Sequence, residues 1–155
     1  MSGLPGINPP IRIEIFGEPK GVGRTKTRGF ANPKTGQIHS TVYTPTKTRI
    51  EAGVIRKYAQ DAMGDRPLLQ GSIEIRFSMF VSIPKSMSKA KRALALATPP
   101  LLRPKIKPDV DNAAKFWDQF NSVVWRDDAQ ISDCHIWKRY SDKPRIVIEI
   151  REVCA

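Results

Sequence analysis

Two aspartates, Asp109 and Asp111, stand in the stretch KPDVDNAAK (107–115), between Lys105 and Lys107 on one side and Lys115 on the other. Pro108 ends an extended segment, so both acids fall at the N-terminal edge of the next helix, where short carboxylates also serve as caps. One aspartate is enough for a cap. A carboxylate and a phosphate about 4 Å apart repel by about 4 kcal/mol at an effective dielectric near 20, so a purely polyanion-binding surface gains nothing from a pair of them. A divalent cation reverses that sign. Mg²⁺ takes oxygen ligands, keeps several waters and is held by one or two carboxylates plus substrate phosphate, the arrangement of metal-assisted phosphodiester cleavage.

Further acids follow in WRDDAQ at Asp127 and Asp128. A helix from Asp111 to near Asn121 covers about 15 Å, and the extended residues after it cover a similar distance on the return, so a third ligand can come from this pair. The bland reading of the pair is a polar turn before a strand. Lys115, four residues after Asp111, forms at least an i, i+4 pair, and in a cleavage site its ammonium would offset charge on the scissile phosphate. Asp118 lies on roughly the same face, further from the helix start, in a supporting position. His39 and His135 have no histidine partner at metal spacing.

The elements that must position these groups are read from periodicity. IRIEIFG alternates as a half-buried strand over 11–17. Residues 18–43 form a basic loop or hairpin, with NPKTG as its turn. A helix capped by Thr44 or Thr46 runs to Met63, where Gly64 stops it, and carries Ile50, Val54, Tyr58 and Ala62 at helical spacing. SIEIRFSMFVSI is a second alternating strand, PKSMSKAKRALALATPP a short basic helix, and LLRPKIKP an extended segment. After the helix at Asp111, with Phe116, Trp117, Phe120, Val123, Val124 and Trp125 as packing anchors, ISDCHIWKRY and RIVIEIREV are strands joined by SDKP as a turn. The sum is an α+β fold, a single domain over 1–155 with a flexible lead-in over 1–10 and a mixed, mostly antiparallel sheet flanked by helices.

The chain has 155 residues, with 26 Lys and Arg against 15 Asp and Glu, a net charge of +11 spread along its length. Nucleic acid is the first partner such a surface favours. No charged-then-apolar leader and no run of about eighteen apolar residues is present, so a soluble, intracellular protein without a membrane partner is expected. Cys134 and Cys154 are too few and too far apart for a disulfide framework or zinc knuckle.

Taken together, KPDVDNAAKFWDQFNSVVWRDDAQ resembles the RusA family of Holliday junction resolvases, small Mg²⁺-dependent endonucleases of bacteria and their phages. The pattern is carried by Lys107, Pro108, Asp109, Asp111, Asn112, Lys115, Asp118, Asp127, Asp128 and Gln130. YTPTKTR (43–49) and PRIVIEI near the end extend it with less specificity, and the N-terminal PKGVGRTKTR departs from the family's Lys-x-Arg-Pro-Arg type of run. The resemblance implies an α+β homodimer whose essential residues match Asp109, Asp111, Lys115 and Asp128. Mg²⁺, with Mn²⁺ as a substitute, would be held by Asp109, Asp111 and Asp128, with Asp127 and Asp118 as further candidates and no small-molecule cofactor. The substrate would be branched DNA, above all four-way junctions, cut by paired nicks that leave a 5′-phosphate and a 3′-hydroxyl. Lys20, Arg24, Lys26, Arg28, Arg103, Lys105 and Lys107 would track its phosphates. The place of action would be the cytoplasm of a bacterium or of a phage-infected cell. A non-catalytic branched-DNA binding protein of the same fold is the alternative.

Overall fold

The strand SIEIRFSMF is apolar on one face, with Ile73, Ile75, Phe77 and Met79, and mostly polar on the other, and its apolar face suits the core side of a sheet. The computed structural model, which describes residues 9–21, 23 and 25–154, puts it there. The elements in order are β1 (Ile11–Phe16), β2 (Lys26–Ala31), β3 (Ile38–Tyr43), α1 (Thr46–Met63), β4 (Ser72–Ser82), α2 (Lys89–Leu96), α3 (Val110–Ala114), β5 (Ile131–Ser141) and β6 (Arg145–Cys154). Two 3₁₀ segments, Lys115–Phe120 and Asp128–Gln130, complete the connection into β5. The main sheet has the order β1-β6-β4-β5, and β2 and β3 form a separate two-stranded sheet. β6 runs antiparallel to both β1 and β4, whereas β4 and β5 are parallel. The fold is therefore α+β with a mixed, mostly antiparallel sheet. Of the lead-in over 1–10, only Pro9 and Pro10 belong to the described residues.

One row shows how the register builds the core. Ile13 pairs with Ile148, Ile148 with Phe77, and Phe77 with Ile136, so one side chain from each strand points to the same face. Phe116 of the first 3₁₀ segment closes over that row, its ring 6.2 Å from Phe77. Phe120 meets Trp125 edge to face at 5.6 Å, and Phe116, Phe120, Val123, Val124 and Trp125 are all buried, with Trp117 half-buried beside them.

Three expectations are corrected. β5 and β6 do not pair across SDKP, because β4 lies between them: Ser141 is level with Ser82, and Arg145 with Phe80. The link crosses the end of β4, and the Arg145 guanidinium sits 4.1 Å from the Phe80 ring centre. Both edges of β4 are thus hydrogen-bonded, to β6 on one side and β5 on the other, and Phe77 and Ser78 are buried on its opposite faces. The helix from Asp111 to Asn121 is a short α3 followed by a tighter 3₁₀ segment over Lys115–Phe120. Phe, Trp and Asp there are weak helix formers, and packing of the aromatics sets the winding. On α1, Ile55, Ala59 and Met63 face the core, while Ile50, Val54 and Tyr58 are exposed. Pro45 occupies its cap position, and no side chain caps it.

Candidate active site

The whole acidic motif lies on the crossover from β4 to β5, the long connection that parallel strands require. Lys138, on β5, fixes the entry to α3: its Nζ donates to the backbone oxygen of Pro108 at 3.0 Å and to that of Ile106. Pro108 and Ala113 are buried, and this wedge turns the intervening Asp109 and Asp111 outward to solvent. Asp109 occupies the N-cap position with extended backbone, yet its side chain makes no capping hydrogen bond. Capping therefore does not account for it. Lys115 departs from α geometry, and its i, i+4 ion pair with Asp111 does not form. Among the described residues, none of Asp109, Asp111, Lys115, Asp118 and Asp128 takes part in a salt bridge.

The adjacent Asp127 and Asp128 are placed differently. Asp127 is consumed by local structure, accepting from the Ala129 amide at 2.9 Å as the cap of the second 3₁₀ segment. Gln130 completes that capping box: its Oε1 accepts from the amides of Arg126 (2.9 Å) and Asp127 (3.2 Å), and its Nε2 donates to the carbonyls of Leu69 and Gly71 at 3.0 and 3.1 Å. The turn is thereby tied to the start of β4. The Asp128 side chain makes no hydrogen bond among the described residues and stands near Asp118. The Asp118 carboxyl is held above its ordinary range, first by burial and then by the negative charge of Asp128, with Lys115 opposing. Asp118, Asp128 and Lys115 thus share one electrostatic environment. Arg56 of α1 anchors the end of the first 3₁₀ segment, donating to the carbonyls of Gln119 and Asn121 at 3.4 and 3.2 Å.

The basic segments flank this site. The loop after β1 passes over α3 at Gly21, where a Cβ would collide with the Asn112 amide nitrogen, and over α1 at Gly23, where it would collide with the Thr48 hydroxyl. Lys20 lies 3.8 Å from Glu51. Arg24 falls outside the described residues. β2 and β3 are exposed throughout, and their register gathers Lys26, Arg28, Phe30, His39, Thr41 and Tyr43 on one face. Arg28 lies 4.9 Å over the Phe30 ring. Arg103, Lys105 and Lys107 project from the segment that enters α3. Arg139 of β5 lies close enough to Arg103 for burial and that charge to lower its pKa.

Hard carboxylate oxygens are suitable donors for Mg²⁺. Asp109, Asp111 and Asp128 are uncommitted to other partners, and the buried Oδ1 of Asn112 has no hydrogen-bond partner. Asp118 and Asp128 repel each other, so this part of the site is locally electronegative. The donor set fits a hard divalent ion in its chemistry, although among the described residues no three His, Cys, Asp or Glu side chains converge on one point. Two carboxylates, water and substrate phosphate suffice for Mg²⁺.

Lys138, Arg56 and Gln130 support the site through backbone carbonyls. Only Gln130 carried a sequence signal, as the last member of the Asp-Asp-x-Gln pattern.

The fold and site define a small, basic α+β domain that carries unpaired carboxylates on its crossover. The family model of endodeoxyribonuclease RusA matches residues 17–151, and the chain belongs to that family. It is also similar to the uncharacterized protein YqaN of Bacillus subtilis (strain 168), 33% identical over 149 residues, which cover 94% of this chain and 98% of that protein. Among the described residues no helix is long and apolar enough to cross a membrane.

Proposed function

We propose that the protein, acting as one domain over residues 1–155, is a Mg²⁺-dependent endonuclease. It resolves four-way DNA junctions by paired, symmetric nicks in recombination and repair, as a homodimer in the cytoplasm of a bacterial or phage-infected cell. The family match over 17–151 carries the reading. The unpaired carboxylates beside basic segments support it.

In this mechanism Asp109, Asp111 and Asp128 would hold the cation, which when bound would supply Lewis-acid polarisation of the phosphate and activation of a water. Asp127 is assigned to the turn and Asp118 to the electrostatic surroundings. Lys115 offsets the charge that develops on the phosphate oxygens. Lys20, Arg24, Lys26, Arg28, Arg103, Lys105 and Lys107 hold the phosphodiester backbone through contacts that carry little sequence information. A four-way junction has approximate two-fold symmetry, and a C₂ dimer presents one acidic site to each of two opposed strands.

The test is a labelled synthetic four-way junction and a matched linear duplex, incubated with Mg²⁺ or with EDTA and resolved on a denaturing gel. Paired nicks in the junction alone, only with the metal, are expected. Asp111→Asn should abolish them and leave junction binding intact or tighter. Tight junction binding without cuts under any divalent metal would overturn the endonuclease and favour the binding protein.

A further inference from the structure

Helix α1 carries apolar residues on two sides. Ile55, Ala59 and Met63 are buried, but Ile50, Val54 and Tyr58, spaced four apart, are 62, 49 and 38% exposed. With Gly53, Lys57 and Asp61 they form a single surface depression at positions i, i+3, i+4, i+7, i+8 and i+11, the stripe one helix presents to another. Ile50 and Val54 also line an adjoining apolar groove of about 280 Å³ that reaches Phe16, itself 70% exposed. The apolar surface is thus continuous from the end of β1 across α1.

Two observations bear on what could cover it. Gly53 lies in mid-helix on this stripe, and a Cβ there would have nothing within 4 Å among the described residues, so no contact with them requires glycine. Mid-helix glycine costs about 1 kcal/mol relative to alanine, and closely approaching helices are a reason to keep it. The charges supply the second observation. Lys47 and Asp61 lie seven residues either side of Val54, and Glu51 and Lys57 lie three residues either side. Each position is opposite in sign to its mirror. An antiparallel copy of α1 crossing at Val54 therefore brings Lys47 level with Asp61 and Glu51 level with Lys57, with Ile50 level with Tyr58. In the single chain Glu51 is 3.8 Å from Lys20 and Asp61 is 2.6 Å from Lys57. Such exposed pairs contribute little and can be exchanged for pairs across a seam. The balanced charge also sets this face apart from the strongly basic remainder, which suits a polyanion.

From the exposed stripe, the open glycine and the self-complementary charges, we infer that α1 is the dimerisation face: two copies pack antiparallel across Ile50, Gly53, Val54 and Tyr58. The inference deepens the homodimer of the proposed function. It is tested without DNA or metal, so loss of the nuclease reading and loss of this one are distinguishable.

Sedimentation equilibrium of the full chain reads the mass directly. The wild type is expected at twice the 17.4 kDa chain mass. Val54→Arg should weaken dimerisation by about a hundredfold, because it buries an unpaired charge in the seam. Val54 is half-exposed in the monomer, so circular dichroism should show an unchanged fold. Lys47→Glu and Asp61→Lys should each weaken the dimer by about tenfold, and the double swap should restore it. A monomeric wild type, or Val54→Arg that remains fully dimeric, would overturn the proposal. Failure of the double swap to restore pairing would overturn the antiparallel register.

Discussion

Gly21 lies against Asn112 so closely that a Cβ on it would collide with Nδ2 and stand 3.3 Å from Cγ. The basic loop after β1 and the acidic start of α3 are therefore in register through this one approach. Gly21→Ala should displace the residue next to Asp111 and lower the junction-cleavage rate by about tenfold. Because Asn112→Ala removes the colliding atoms, Gly21→Ala should have little further effect on that background, so the double variant cleaves about as fast as Asn112→Ala alone. Single-turnover rates of the four proteins in the cycle measure the coupling, and strictly additive losses would break the link between loop and motif.

Gln130 should prove more important to stability than its place in a turn suggests. All its amide contacts end on backbone groups, two as acceptor and two as donor. Gln130→Ala leaves the carbonyls of Leu69 and Gly71 short of a donor and is expected to cost about 2–4 kcal/mol in urea unfolding. Gln130→Glu should rescue little, because it turns a carboxylate toward those same carbonyls.

Lys138→Met retains the apolar stem and removes the ammonium that ties Ile106 and Pro108 to β5. Amide exchange over residues 105–112 should accelerate, with β4 and β6 unchanged. A protection pattern identical to wild type would mean that Lys138 does not hold the entry to α3.

The pH dependence has a definite sign. Burial and the charge of Asp128 raise the Asp118 pKa in the folded state, so Asp118 favours folding below its unfolded value near 3.8, and that contribution is lost as pH rises through the folded pKa. At pH 7 in EDTA the ionised Asp118 is unfavourable. Asp118→Asn should therefore melt higher than wild type at pH 7, and the gap should close at pH 3. Equal melting temperatures at pH 7 would contradict the crowding of these carboxylates.

Much of this architecture was legible because local periodicity encodes it. β1, α1, β4, α2, β5 and β6 each announce themselves by alternation or helical spacing, and the aromatic anchors after Lys115 are buried as their spacing implies. The insertion of β4 between β5 and β6 was not legible, since an SDKP turn reads alike whether it joins neighbours or steps over a strand. The orientation of α1 was misleading for a physical reason: both sides are apolar, and the stripe with the bulkier residues faces outward. In the site, residue types and spacing marked the aspartates and the family pattern ranked Asp128 above Asp127, and side-chain geometry supplies the reason, since Asp127 is bound into its turn. Lys138 and Arg56 act on main-chain carbonyls, so as sequence they resemble any other surface cation.

The pairing of β1 with β6 sets a kinetic order on the molecule. Ile11 meets Ile150 and Phe16 meets Arg145, so the first strand waits for nearly the last residues before it has a neighbour. β4, one of the two inner strands, has no partner until β5 has been made and lacks its second until β6 follows. Contacts so distant in sequence make for slow closure, because a long loop must be ordered before any pairing rewards it. On the ribosome the chain therefore emerges with its carboxylate motif already synthesised and no completed sheet to carry it. Assembly of the sheet follows translation, and a chain interrupted before Arg145 leaves β1 without its strand partner.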